Sequence, residues 1–340
     1  MKKGSTKTLI RNFILFIALI VLTLWVILKD QSITAITDVL KNVKITYVYI
    51  GIGCMTIYLF LEGINMRRTL RALNEKVSIM QAFKYSLIGF FFSSITPAAS
   101  GGQPMQIYYM HKDKIAVSNS TLALLINLTS MQISTISIAI ISLIYNYSYV
   151  NDIIRACVII GILLNSSALV LLVIGVFTKR LSRGLIKLAF RLLKVFKVKN
   201  ITQKKYKLVR ELKKYQDSAK YIKENKPLML KTLATTIVQF TIYYSIAYWT
   251  YKALGFSGRG IVEITTMQAV LFASVSGIPS PGAVGVSEGI FIEIFRNIYS
   301  TNIIKSATLL NRGVNFYLFV LISGIVVIIN QMRIKDDLKE

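Results

Sequence analysis

Histidine occurs once and cysteine only twice in this 340-residue chain. Zinc and haem sites need several such ligands at short spacing, so metal chemistry of that kind is excluded, and no cofactor is implied. Cys54 and Cys157 lie in separate apolar runs and read as small packing residues rather than a disulfide. The single histidine, His111, sits beside Lys112 with no carboxylate or nucleophile pattern around it. It reads as an interfacial surface residue, and no catalytic residue is assigned. Acidic residues are also scarce, 15 Asp and Glu against 41 Lys and Arg, which leaves a net charge of +26. Proline is rare too, and four of the five prolines fall in two short stretches.

What the chain has is hydrocarbon. It is 54% hydrophobic with a mean hydropathy of +0.57, above the soluble globular average. Several apolar runs reach about 20 residues, the length that crosses a bilayer. The basic residues flank these runs, as the positive-inside rule and attraction to anionic lipid both require. No nucleic-acid-binding motif accompanies them, so a nucleic-acid partner is not expected. The fold class expected is an all-α polytopic membrane protein in one transmembrane domain, residues 1–340.

Residues 9–28 follow Lys2, Lys3 and Lys7 and lead into Lys29-Asp30-Gln31, which offers no small-residue cleavage site. They read as an uncleaved first span with a cytoplasmic N-terminus. A second span, residues 45–66, returns to a basic stretch with Arg67, Arg68, Arg71 and Lys76. The arginines read as interface anchors and Glu62 as their partner. Residues 121–145 cross outward and 153–177 cross back, with Tyr145, Tyr147 and Tyr149 at an interfacial belt. Residues 179–226 are a basic block in which Leu181, Leu185, Leu188, Leu192 and Phe196 recur at helical spacing. This is either a cytoplasmic amphipathic segment on an anionic leaflet or a solvated basic loop. Residues 228–251 cross outward, and residues 303–330 form the last span before Arg333, Lys335 and Lys339, placing the C-terminus inside.

Two stretches interrupt this pattern. The first is Ser93-Ser94-Ile95-Thr96-Pro97-Ala98-Ala99-Ser100-Gly101-Gly102-Gln103-Pro104; the second runs from Ser274 through Ser276, Pro279, Ser280, Pro281, Gly282 and Gly285 to Ser287 and Glu288. Each has a serine three residues before its first proline and two glycines within six residues after it. Proline removes a donor and glycine admits unusual dihedrals, so neither stretch is a continuous helix. Irregular backbone at bilayer depth survives only in protein or beside water, and paired breaks mark a transporter's binding site. Basic residues at both ends of 79–110 send that segment in and back from the cytoplasm. Counting spans sends 261–299 in and back from outside. The result is an inverted repeat of about six full spans and two re-entrant hairpins; ten shallower or tilted crossings preserve the same sidedness.

Ionisable groups at bilayer depth are candidates for function. Arg312 lies roughly ten residues into the last span, and Glu288 follows the second break at the start of a helical arm, where the dipole favours a carboxylate. They form either a structural ion pair or a site in which Arg312 meets a lipid phosphate and Glu288 acts as counter-ion or proton carrier. The amide groups of Gly101, Gly102, Gly282 and Gly285, at half-helix N-termini, are expected to attract an anion. Ser94, Thr96, Ser100, Ser276, Ser280 and Ser287 add hydroxyls, each of which taken alone is expected to bond a kinked helix backbone.

These residues also carry a resemblance. Pro97…Gly102-Gln103-Pro104-Met105-Gln106, then Pro281-Gly282-Ala283-Val284-Gly285-Val286-Ser287-Glu288, then Leu310-Asn311-Arg312 with Phe316 and Tyr317 follow an order and spacing similar to one known family. It is the flippase-like transmembrane domain of lysylphosphatidylglycerol synthases, the multiple peptide resistance factors, and their stand-alone relatives. The family's Glu and Arg of the first motif are replaced by Gln103 and Gln106, which leaves the first broken stretch without charge of its own. The resemblance implies substrate-binding roles for Pro97, Gly101, Gly102, Gln103, Gln106, Ser280, Pro281, Gly282, Gly285, Glu288, Arg312 and Asn315. It further implies lipid translocation in a plasma membrane, with links to lysyl-phosphatidylglycerol and cationic-peptide resistance. Since the chain stops at Glu340, transport without the soluble lysyltransferase domain is expected. A transporter or channel for a small polar solute or ion, the membrane part of a lysyltransferase system, and an intramembrane lipid enzyme are the alternatives. Membrane lipids are the expected partners, and a homo-oligomer is left open.

Overall fold

The computed structural model describes residues 39, 41–177, 217, 218, 220–276 and 278–336. The expected first span and the amphipathic part of the basic block lie outside the described residues. Among the described residues the chain is helical without a strand. In chain order the helices are α1 Ile45–Ala72, α2 Ile79–Ser94, α3 Gly102–Lys112, α4 Val117–Tyr145, α5 Asp152–Phe177, α6 Lys226–Ala253, α7 Ile261–Val275, α8 Val286–Phe295, α9 Ile304–Arg312 and α10 Leu318–Asp336. Among the described residues, four segments are long and apolar enough to cross a membrane: α1, α4, residues 152–173 of α5, and α9 with α10.

Helix α6 is as long as α1, and it buries hydroxyls and amides against its neighbours. Thr232, Thr236 and Gln239 on α6 are fully buried. Asn65 of α1 donates to Thr236 Oγ1 at 3.0 Å. At the opposite end the Lys44 amide donates to the Ala253 carbonyl at 2.8 Å. The start of α1 thus meets the end of α6 and the reverse, so the two run antiparallel along their full lengths. Each has 28 residues, or about 42 Å at 1.5 Å per residue.

The two breaks fall where expected. Helix α2 begins with a capping box, Ser78 and Gln81 exchanging bonds of 2.9 and 3.1 Å. It stops at Ser94, ahead of a short 3₁₀ turn, Pro97–Ala99. The returning arm α3 brings Asp113 back to the first turns of α2, where Lys84 lies 2.6 Å and the Tyr85 hydroxyl 2.5 Å from its carboxylate. Both ends of this hairpin therefore lie at one end of the molecule, beside the last turns of α1, whose Arg67 Nε donates to the Val77 carbonyl. The second hairpin, α7 and α8 around Pro281–Ala283, has its base at the other end. There Tyr299, just after α8, packs against Tyr251 and Phe256, which flank the end of α6.

The hairpins thus enter from opposite ends of α1 and α6, and their turns meet between them. The pairing repeats in inverted order: α4 packs on α7, while α10 packs on α2. Each half has its own apolar core. One joins Tyr85, Ile88, Phe92 and Met110 to Val320 and Val327, the other joins Met267, Val270, Phe291 and Phe295 to Val158 and Tyr251.

Three boundaries differ from expectation. Helix α1 runs on past Met66 to Ala72, with Arg67 donating to the Val77 carbonyl and Arg68 to Thr235 of α6. Helix α4 begins four residues earlier than expected, at Val117. The last span is not uniform: a π-helical turn, Gly313–Tyr317, separates α9 from α10. Such turns inside helices gather at functional sites because they redirect side chains.

Candidate functional site

The turns, the inner faces of α1, α4, α6 and α7, and the π turn enclose a cavity of about 510 Å³. Of the residues expected at the site, Gln103, Gln106, Ser280, Gly282, Arg312 and Asn315 line it. Glu288 stands directly behind Arg312. Pro97, Gly101, Gly102, Pro281 and Gly285 shape the surrounding backbone without lining the cavity.

Arg312 and Glu288 are buried, 6% and 1% exposed, and Arg312 Nε donates to Glu288 Oε1 at 2.9 Å. Tyr317 donates its hydroxyl to the same oxygen at 2.8 Å, and Arg312 Nη2 donates to the Gly282 carbonyl at 2.9 Å. The guanidinium lies 4.1 Å from the centroid of the Phe316 ring. The carboxylate is fully engaged in protein: its second oxygen accepts from the Gly285 amide at 2.8 Å and caps α8. Among the described residues Arg312 Nη1 has no hydrogen-bond partner, and Arg312 faces the cavity. The buried Asn315 Oδ1 and Ser280 Oγ likewise have no partner among the described residues.

The two turns share a backbone solution. After Pro97, Ala98 and Ala99 are left-handed, with φ of 50° and 53°; after Pro281, Gly282 and Ala283 are left-handed at 59° and 52°. Left-handed alanines cost roughly 1–2 kcal/mol each and persist where the surroundings hold them. Gly282 is required twice over, by its φ and by the Phe316 ring, which a Cβ would meet at 2.3 Å. Gly102 is required by close approach, since a Cβ there would lie 2.1 Å from Ser93 Oγ.

The expected free amides are partly occupied. The Gly101 amide donates to Thr96 Oγ1 at 2.9 Å, and the Gly285 amide is held by Glu288. Both bonds arise because the break itself exposes a donor that a nearby side chain satisfies. The hydroxyls divide: Ser94 and Thr96 donate back to Phe90 and Phe92 carbonyls, and Ser276 to Ala273. Ser100, in contrast, is exposed at the cavity wall.

Glu62 is placed differently from expectation. It lines the cavity and its Oε1 accepts from Gln106 Nε2 at 3.3 Å, while Arg68 is held by Asn65 and Thr235. Helix α1 turns by about 100° per residue, so Glu62 and the arginines five and six positions on leave by different faces and reach different neighbours. Sequence reasoning also passed over Gln132, Gln268 and the aromatic wall of Tyr58, Tyr243 and Phe272. Ring-bearing residues in an apolar helix carry no mark that separates a cavity wall from a core.

Two archaeal proteins resemble the chain. One is the UPF0104 membrane protein PH1989 of Pyrococcus horikoshii, 22% identical over 334 residues, which cover 94% of this chain and 96% of that protein. The other is a UPF0104 membrane protein of Archaeoglobus fulgidus, 20% identical over 248 residues, covering 72% and 74%. The profile of the family described as the lysylphosphatidylglycerol synthase TM region matches residues 13–323. Both hairpins, the π turn and the Glu288–Arg312 pair fall inside that match: the chain is a membrane protein belonging to the lysylphosphatidylglycerol synthase transmembrane-region family.

Proposed function

We propose that this protein translocates a phosphate-bearing lipid across a cytoplasmic membrane. The observation that supports this most is where the cavity opens. The hairpin bases lie at opposite ends of the molecule, and the turns meet midway. The lining residues that are exposed belong to these turns and their flanks: Ala98, Ala99, Ser100, Ser276 and Ile278. Pro97 and Pro279 are exposed as well, so the turns reach the flank of the molecule. A mouth on the flank faces acyl chains, as a lipid with its tails in the bilayer requires; a solute path would open at an end.

Within the cavity the headgroup meets Arg312, with the side chains of Ser280, Asn315 and Gln103 around it. Arginine suits phosphate because its planar fork offers several donors that stay charged. The Glu288 partner keeps the guanidinium oriented and lowers its net field, so an anion is held weakly enough to leave again. The basic end of the molecule carries Arg71, Lys76, Lys112, Lys114, Lys220 and Lys223; the other end carries Lys44, Lys252 and Lys305, and its Arg155, Arg259 and Arg296 pair with Asp152, Glu263 and Glu293. By the positive-inside rule the first hairpin enters from the cytoplasm.

The test is reconstitution into liposomes with a fluorescent short-chain phospholipid and a membrane-impermeant quencher. Wild type should accelerate exchange between leaflets, and Arg312→Ala should reduce the rate by about tenfold or more, the effect of losing ~1.4 kcal/mol or more of interaction. Absence of exchange in wild type, with Arg312→Ala behaving identically, would reject the reading.

A further inference from the structure

The cavity holds one charged group that the Arg312–Glu288 pair leaves uncompensated. Glu62 has a single hydrogen-bond partner among the described residues, Gln106 Nε2 at 3.3 Å, long for a bond to a carboxylate. Gln106 shares that nitrogen with the Tyr85 carbonyl at 3.1 Å. A carbonyl can only accept, so the amide presents its NH₂, not its oxygen, to Glu62.

Every element packed against α1 can be searched for a counter-charge. On α1 itself Arg67 and Arg68 are held elsewhere, and Tyr58 lies one turn away. On α2 and α3, Lys84 and Tyr85 are bound to Asp113, and His111 and Lys112 sit at the hairpin base. Helix α4 has no Asp, Glu, Lys, Arg or His from Val117 to Tyr145. Helix α6 contributes Tyr243 to the cavity, its lysines lying toward its ends. Across the cavity stands Arg312, with Glu288 and Tyr317 already upon it. A metal cation would need several oxygen ligands, and no group of three His, Cys, Asp or Glu exists among the described residues. A proton needs one.

Resting on the translocation reading above, we infer that Glu62 is a proton carrier that couples lipid passage to a pH gradient. The carboxylate takes a proton from cavity water when the cavity faces the acidic side, becoming a neutral acid. It returns that proton to water once the hairpins have rearranged. Neutral Glu62 removes the negative charge that would oppose a phosphate beside Arg312, so proton uptake and anion entry favour each other.

Infrared spectroscopy of the reconstituted full-length protein through a pH titration reads the proton directly. A protonated-carboxyl stretch should titrate in wild type, vanish in Glu62→Gln and return, displaced, in Glu62→Asp. An identical titration in wild type and Glu62→Gln overturns the carrier. The coupling is read from exchange of the fluorescent phospholipid under imposed pH gradients of opposite sign. Wild type should show a several-fold difference between the two directions, and Glu62→Gln none; an equal difference in both overturns the coupling. If wild type moves no lipid at all, the translocation reading and the coupling fall together, while the infrared band still decides whether Glu62 carries a proton.

Discussion

At the scale of single residues, the Glu288–Arg312 pair is where geometry is most constrained. Glu288 satisfies the Gly285 amide, the Tyr317 hydroxyl and the guanidinium at once, and nothing nearby replaces it. Removing one partner of a buried ion pair leaves a desolvated charge, at a cost of about 3–5 kcal/mol, whereas removing both is often nearly neutral. Glu288→Gln should therefore lower the unfolding midpoint in detergent markedly, and adding Arg312→Leu should restore much of it. An unchanged midpoint in Glu288→Gln would show that the pair is not a lock. The prolines and glycines that shape both breaks were legible because each acts on its own backbone. Glu62 was misassigned because its partner, Gln106, lies 44 positions along the chain.

At the scale of elements, the broken hairpins are held from both directions. Arms of 16 and 11 residues in the first reach about 24 and 16 Å, roughly half the length of α1, so its turn stops near mid-height. The turn of the second hairpin meets it there. With Cys54 and Cys157 replaced by alanine, an Ala99→Cys/Ala283→Cys pair should be bridged by a short bifunctional thiol reagent in membranes, giving an intramolecular product. A pair at Lys76→Cys/Ala283→Cys should not. Bridging of the turns should also stop lipid exchange, since both alanines line the cavity. The π turn was not legible: Gly313–Tyr317 has no breaker besides one glycine, and its register is set by packing around Arg312.

At the scale of the whole molecule, the antiparallel α1–α6 pair is the frame on which two inverted halves hang. Inversion brings the hairpins in from opposite ends, so every step that opens one end has a counterpart at the other. Lys76 and Ser257 are exposed at the two ends. A Lys76→Cys variant should react with an impermeant maleimide only after the membrane is permeabilised, and Ser257→Cys in intact cells. The reverse pattern would invert the proposed orientation.

The sequence by itself determined the helical class, the positions of the two breaks and the basic character of one end. Those depend on local causes: run length against bilayer thickness, the missing donor of proline, and charge beside each apolar run. It also singled out Glu288 and Arg312, because charge inside an apolar stretch is costly wherever it points. Only the tertiary structure decided which polar groups meet. A membrane helix is apolar on most faces, so its sequence does not tell which face turns inward. Packing of α1 against α2, α4 and α6 aims Glu62 at Gln106 and the cavity, and satisfies Arg67 and Arg68 elsewhere. The first turn ties the Gly101 amide to its own Thr96, and the packing of the helices leaves Arg312 facing the space between the hairpins.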